Sequence, residues 1–90
     1  MNQIQFQQRL RDNGFGEGEI KTYPPNADGP MHTHDFNVLL LVLEGPFALA
    51  SEDGVTTFQT GQVCELAAGV RHVEQTGPEG ARVLLSKKAV

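Results

Sequence analysis

The chain contains no tryptophan, one tyrosine and one cysteine, and it has no basic cluster. With Cys64 alone no intramolecular disulfide can form, so a disulfide-stapled secreted scaffold is excluded and a reducing compartment, most simply the cytoplasm, is expected. The seven basic residues, Arg9, Arg11, Lys21, Arg71, Arg82, Lys87 and Lys88, are scattered along a chain of net charge −4. Phosphate contacts require a basic stripe, so no nucleic-acid binding is expected. No apolar run is long enough to span a bilayer and no apolar segment opens the chain, so no membrane attachment is expected either.

What is present is the material of one small globular domain over residues 1–90, with 39% hydrophobic and 20% charged residues. A chain of this size buries only roughly 60 to 65% of its unfolded surface. So small a core favours pairing with a second copy, and a homodimer is the expected assembly.

One helical pattern stands at the start. Ile4, Phe6 and Leu10, separated by Gln and Arg, suggest a short amphipathic helix ending at Asn13 and Gly14, both tolerant of a left-handed cap. It could cap the closed end of a barrel or join a dimer contact. Everything after it reads as strand and turn. "EIKTY" alternates until Pro24 and Pro25 stop it, and "FNVLLLVLE" is apolar on both faces, as in a strand held between two layers. "FALASE" and "VTTFQ" flank Asp53 and Gly54, a strong two-residue hairpin signal. Shorter strands follow at Val63 to Leu66, at about Arg71 to Gln75 and from Ala81, joined by turns at Ala67 to Val70 and Gly77 to Gly80. Short strands at this spacing, punctuated by Gly and Pro, indicate an all-β antiparallel sandwich or barrel.

The chemistry concentrates in "MHTHDF". In a strand, residues i and i+2 face the same way about 6.6 to 6.8 Å apart, so His32 and His34 can converge on one ion. An isolated HxH is more often solvated than ligating. The third and last histidine, His72, lies in another expected strand that an antiparallel sheet can bring opposite the pair. Three neutral imidazoles suit Fe, Zn, Ni, Mn or Cu and leave coordination positions open. Glu74 is the best candidate for a further ligand, two residues from His72 on a shared face; the competing expectation is a solvated surface glutamate. Asn37 is either a polar pocket residue or a turn former, and Asp35, out of phase with His34, is expected to be exposed. Cys64 is expected to pack in the core. Tyr23, Met31 and Phe36 could line a pocket, although such residues at strand ends usually fill core gaps.

Together, "GPMHTHDFNVLLLVLEG" and "GQVCELAAGVRH" resemble the two motifs that define the cupin family. His32, His34 and Gly45 fall where the first motif has its histidines and closing glycine, while Gly29 stands closer to the histidines than is usual. In the second, Gly61, Gly69 and His72 match, and Ala67 replaces a proline. The resemblance covers roughly residues 18–88 and implies a small double-stranded β-helix, or jelly roll, with a metal near its open mouth and the helical segment, residues 1–14, outside it. The family commonly places a glutamate four residues after the second histidine, where this chain has Val38. The resemblance therefore implies a three-histidine site, as in cysteine dioxygenase and diketone-cleaving dioxygenases, with Glu74 as a substitute carboxylate. Two function classes follow: a metal-binding cupin acting on a small molecule, of which a non-haem iron dioxygenase is one form and a Lewis-acid isomerase or hydrolase another, and a non-catalytic small-molecule-binding or sensing module. A dry barrel whose histidines are remnants is the third and least favoured.

Overall fold

The structure, a computed structural model, describes residues 1–90. Helix α1 (Gln3–Asp12) begins with a reciprocal cap: Asn2 Oδ1 accepts from the Gln5 backbone N–H at 2.8 Å, and Gln5 Oε1 accepts from the Asn2 N–H at 3.0 Å. Phe6 and Leu10, one turn apart, are buried, whereas Ile4 is 81% exposed. At 100° per residue Ile4 points away from Phe6, so the expected three-residue apolar face contains only two.

Seven strands follow: β1 (Glu19–Tyr23), β2 (Phe36–Glu44), β3 (Phe47–Ser51), β4 (Gly54–Phe58), β5 (Val63–Leu66), β6 (Val73–Thr76) and β7 (Ala81–Ala89). They form a four-stranded sheet, β1-β7-β2-β5, and a three-stranded sheet, β4-β3-β6, both antiparallel, in a jelly-roll arrangement. β3 and β4 form the expected hairpin, but its two loop residues are Glu52 and Asp53 rather than Asp53 and Gly54: Gly54, at φ +120°, already pairs with Ser51 as the first residue of β4. β6 is shorter than expected at its start, because Arg71 precedes it and His72 forms only an isolated bridge.

β2 has two buried faces for different reasons. Val38, Leu40 and Val42 point into the barrel with Phe47, Cys64 and Val83. Leu39 and Leu41 point outward onto Phe6 and Leu10 of α1 and Leu84 of β7. The helix thus neither caps an end nor stands free: it covers the outer face of the larger sheet. No helix is long and apolar enough to cross a membrane.

Candidate metal centre

The segment carrying His32 and His34 is not a regular strand. It runs antiparallel beside β6 through two isolated bridges, Asp28 with Gln75 and His32 with His72. Between them, four residue steps on the incoming side match three on the other, which is one extra residue. Without it, Met31 would face His72; with it, His32 does. The two histidines exchange both backbone bonds, His32 N–H to His72 C=O and the reverse, each at 3.0 Å. Their ring centroids lie 4.4 Å apart, and His34 completes a triangle at 5.0 Å from His32 and 4.8 Å from His72.

Two turns anchor this arrangement. The Gly69 N–H donates to the His34 carbonyl at 2.9 Å, with Gly69 at φ +83°, a conformation that favours glycine. The neighbouring Ala68 N–H donates to Asn37 Oδ1 at 2.9 Å. Asn37 therefore does not join the metal cluster. It lies on the outer side of β2, in phase with Leu39 and Leu41, and its role is to hold the 67–70 turn against the histidine segment.

Glu74 does join the cluster. One donor atom each from His32, His34, His72 and Glu74 lie within 4.8 Å of one another. Glu74 Oε1 is 3.2 Å from His32 Nε2 and 3.6 Å from His72 Nε2. Two bonds of about 2.1 Å across an ion span about 4.2 Å, so small side-chain adjustments bring all four donors to one centre. The one carboxylate in this cluster therefore comes from β6 and not from the position of Val38 on β2.

The imidazoles are prepared as donors. The Pro30 carbonyl lies 2.7 Å from His32 Nδ1, and the Val70 carbonyl 2.9 Å from His72 Nδ1. Carbonyls only accept, so each Nδ1 carries a proton, and in the neutral ring each Nε2 is then the atom that presents a lone pair. His72 is 1% exposed, and its Nε2 is a buried polar atom with no hydrogen-bond partner. Burial, then the neighbouring His72 and His32 rings, hold the His34 pKa below its ordinary value, against an opposing pull from Glu74. A ligating imidazole must be neutral, and His34 is kept so.

Beside the cluster opens a cavity of about 260 Å³, lined mostly by apolar side chains including Phe36, Leu40 and Leu49, with His34 and Glu74 in its wall. Tyr23 and Phe36 line it; Met31 instead is 43% exposed. Cys64 is buried in the core as expected, and burial pushes its thiol up to about 12. Burial, then the charge of Glu74, raises the Tyr23 phenol, so it remains protonated. The sequence reading missed Glu19, Lys21 and Lys87 in the lining. The signal was available, since Glu19 and Lys21 share the face of Tyr23 at strand period two.

Solved structures were compared with this geometry. A cupin-2 domain-containing protein from Shewanella frigidimarina is 22% identical, with 81% of this chain and 72% of that chain covered and a TM-score of 0.67. A cupin from Bacteroides fragilis is 17% identical over 90% of this chain and 74% of its own, also with a TM-score of 0.67. This chain has the cupin fold. A protein from Thermotoga maritima described as a predicted oxalate decarboxylase matches this cupin fold with a TM-score of 0.70 at 16% identity, over 92% of this chain and 74% of that one. No protein-family model matches the chain, and no curated protein does. At these identities the likeness concerns the cupin fold, and function must be argued from the site.

Proposed function

We propose that His32, His34, His72 and Glu74 hold one divalent transition ion, and that this cupin uses it on a small molecule bound in the adjoining cavity. The observation that carries this reading is His72 Nε2, buried and unpartnered at the centre of the cluster. Leaving a buried polar atom unsatisfied costs about 1–3 kcal/mol, a cost that an ion accepting its lone pair removes. Three neutral imidazoles and one carboxylate suit Fe, Zn, Ni, Mn or Cu. When bound, the ion would supply Lewis acidity and, if it is iron, redox chemistry toward dioxygen.

The chain's own groups favour the oxygenase form over acid–base hydrolysis or isomerisation. Glu74 belongs to the donor set, the Tyr23 phenol stays protonated and so does the Cys64 thiol. The cavity can therefore donate a hydrogen bond to a substrate oxygen through Tyr23, while its one carboxylate outside the donor set, Glu19, is exposed to solvent rather than held inside as a base. Apolar side chains around Leu40 and Leu49 exclude water from the substrate.

The test is element analysis of untagged protein purified without chelators and after loading, alongside His32→Ala and His72→Ala variants. About one ion per chain is expected in the wild type, with loss of stoichiometric metal in both variants. Wild-type protein without metal, even after loading, rules the reading out. Oxygen uptake by the ferrous form with a panel of thiols and diketones then tests the oxygenase chemistry. A loaded protein that consumes no oxygen with any of them instead supports the binding or sensing module.

A further inference from the structure

The chain has seven basic side chains, and five of them are accounted for by an oxygen partner. Arg9 faces Glu65, Arg71 faces Glu52 and Arg82 faces Glu44. Arg11 donates to Gln8 Oε1, and Lys88 donates to the Asn13 carbonyl. Lys21 and Lys87 have no such partner, and they are the two basic residues that line the cavity beside the metal cluster.

Their placement follows from the strands. β1 and β7 are paired, and Lys21 shares the inward face of Tyr23, as Lys87 shares that of Leu85. Each ammonium sits against an aromatic ring of the same wall: Lys21 Nζ is 4.9 Å from the Tyr23 centroid and Lys87 Nζ is 4.8 Å from that of Phe36. Phe36 in turn stacks on His34, centroids 4.7 Å apart and planes 7° apart, which sets Lys87 on the metal side of the cavity. Lys21 is near enough for its charge to act on His34.

We propose that Lys21 and Lys87 are specificity residues that pair with the carboxylate of a small monoanionic substrate whose apolar body lies in the cavity. The location rests on the function proposed above; the charge preference does not require the ion. Two ammonium groups against the one other carboxylate in the lining outside the metal cluster, that of Glu19, leave a single surplus positive charge, which suits a monocarboxylate better than a dianion. At roughly 30 Å³ per water-sized group, a cavity of about 260 Å³ admits a molecule of about nine such groups. The apolar wall formed by Leu40, Leu49 and Leu85 fits a hydrocarbon body.

Calorimetric titration with hexanoate and with hexanamide, its neutral isostere, tests this on protein as purified, with metal content measured on the same sample. Hexanoate is expected to bind about tenfold more tightly than hexanamide, with the preference weakening at high salt. In the Lys21→Met, Lys87→Met double variant, which keeps the apolar stems, the preference should fall to about threefold or less while metal content is unchanged. Equal binding of the two probes, no saturable binding of hexanoate at millimolar concentration, or a preference that survives in the double variant overturns the proposal. Because metal content is read independently, a protein without metal that still prefers hexanoate through these lysines separates failure of the metal reading from failure of this one.

Discussion

On the helix side of β2, Leu39 and Leu41 are 2% and 1% exposed and pack against Phe6, Leu10 and Leu84. On the barrel side, Val38 and Leu40 are each 3% exposed, yet they border a cavity. Both faces are apolar and buried to the same degree, but their surroundings differ. The outer face is filled by a helix; the inner face borders an open space. In a domain this small, apolar area left unpacked inside has to be offset elsewhere, and α1 supplies that packing from outside.

The sharpest way to break this comparison is a matched pair of truncations at adjacent residues. Leu→Ala substitutions in cores cost about 2–5 kcal/mol, depending on the void they leave. Leu41→Ala opens a closed gap beneath the helix and should fall toward the upper end of that range in urea unfolding. Leu40→Ala enlarges a space that already exists and should fall toward the lower end. Equal costs would show that the faces do not differ.

A second substitution acts at the mouth of the inner face. Gly69 has φ +83° and nothing within 4 Å of a Cβ placed there, so Gly69→Ala is opposed by backbone conformation alone, about 1–2 kcal/mol. Because its N–H holds the His34 carbonyl, weaker metal binding should accompany the lower urea midpoint. Unchanged metal affinity would mean that the turn does not position His34.

The smallest expected effect is one of pH on chelator-stripped protein. The folded-state pKa of His34 lies below its ordinary 6.5. Between the two values the unfolded chain binds more protons than the folded one, so stability declines as pH falls through about 6.5 and levels off below the folded value. Urea midpoints at about pH 7.5 and about pH 5.5 should show this decline, and His34→Gln should reduce it. An equal decline in the variant would place the linkage elsewhere.

Much of this was legible in the residues. "FNVLLLVLE" predicted a strand buried on both faces, and the structure shows barrel and helix on its two sides. The hairpin around Asp53 was readable to within one residue because turn chemistry is local, whereas its register, with Gly54 paired to Ser51, was not. The position of Glu74 on His72's side was readable from strand period, but its entry into the cluster was not, since that depends on how residues 27–32 lie along β6. The role of Asn37 is not legible locally, because its partner, the Ala68 N–H, is 31 residues away. Ile4 was misplaced because an apolar residue near a helix start is not thereby on the buried face.

The sequence by itself determined the element types, the apolar faces and the inventory of three histidines, because side-chain period and turn chemistry act over a few residues. Tertiary structure alone decided that an extra residue puts His32 rather than Met31 opposite His72, that Glu74 lies with the three histidines, and that two lysines without oxygen partners face one cavity. Each of those outcomes depends on the register between segments distant along the chain. Register is selected by which faces such segments bury against each other, and no single segment carries that information.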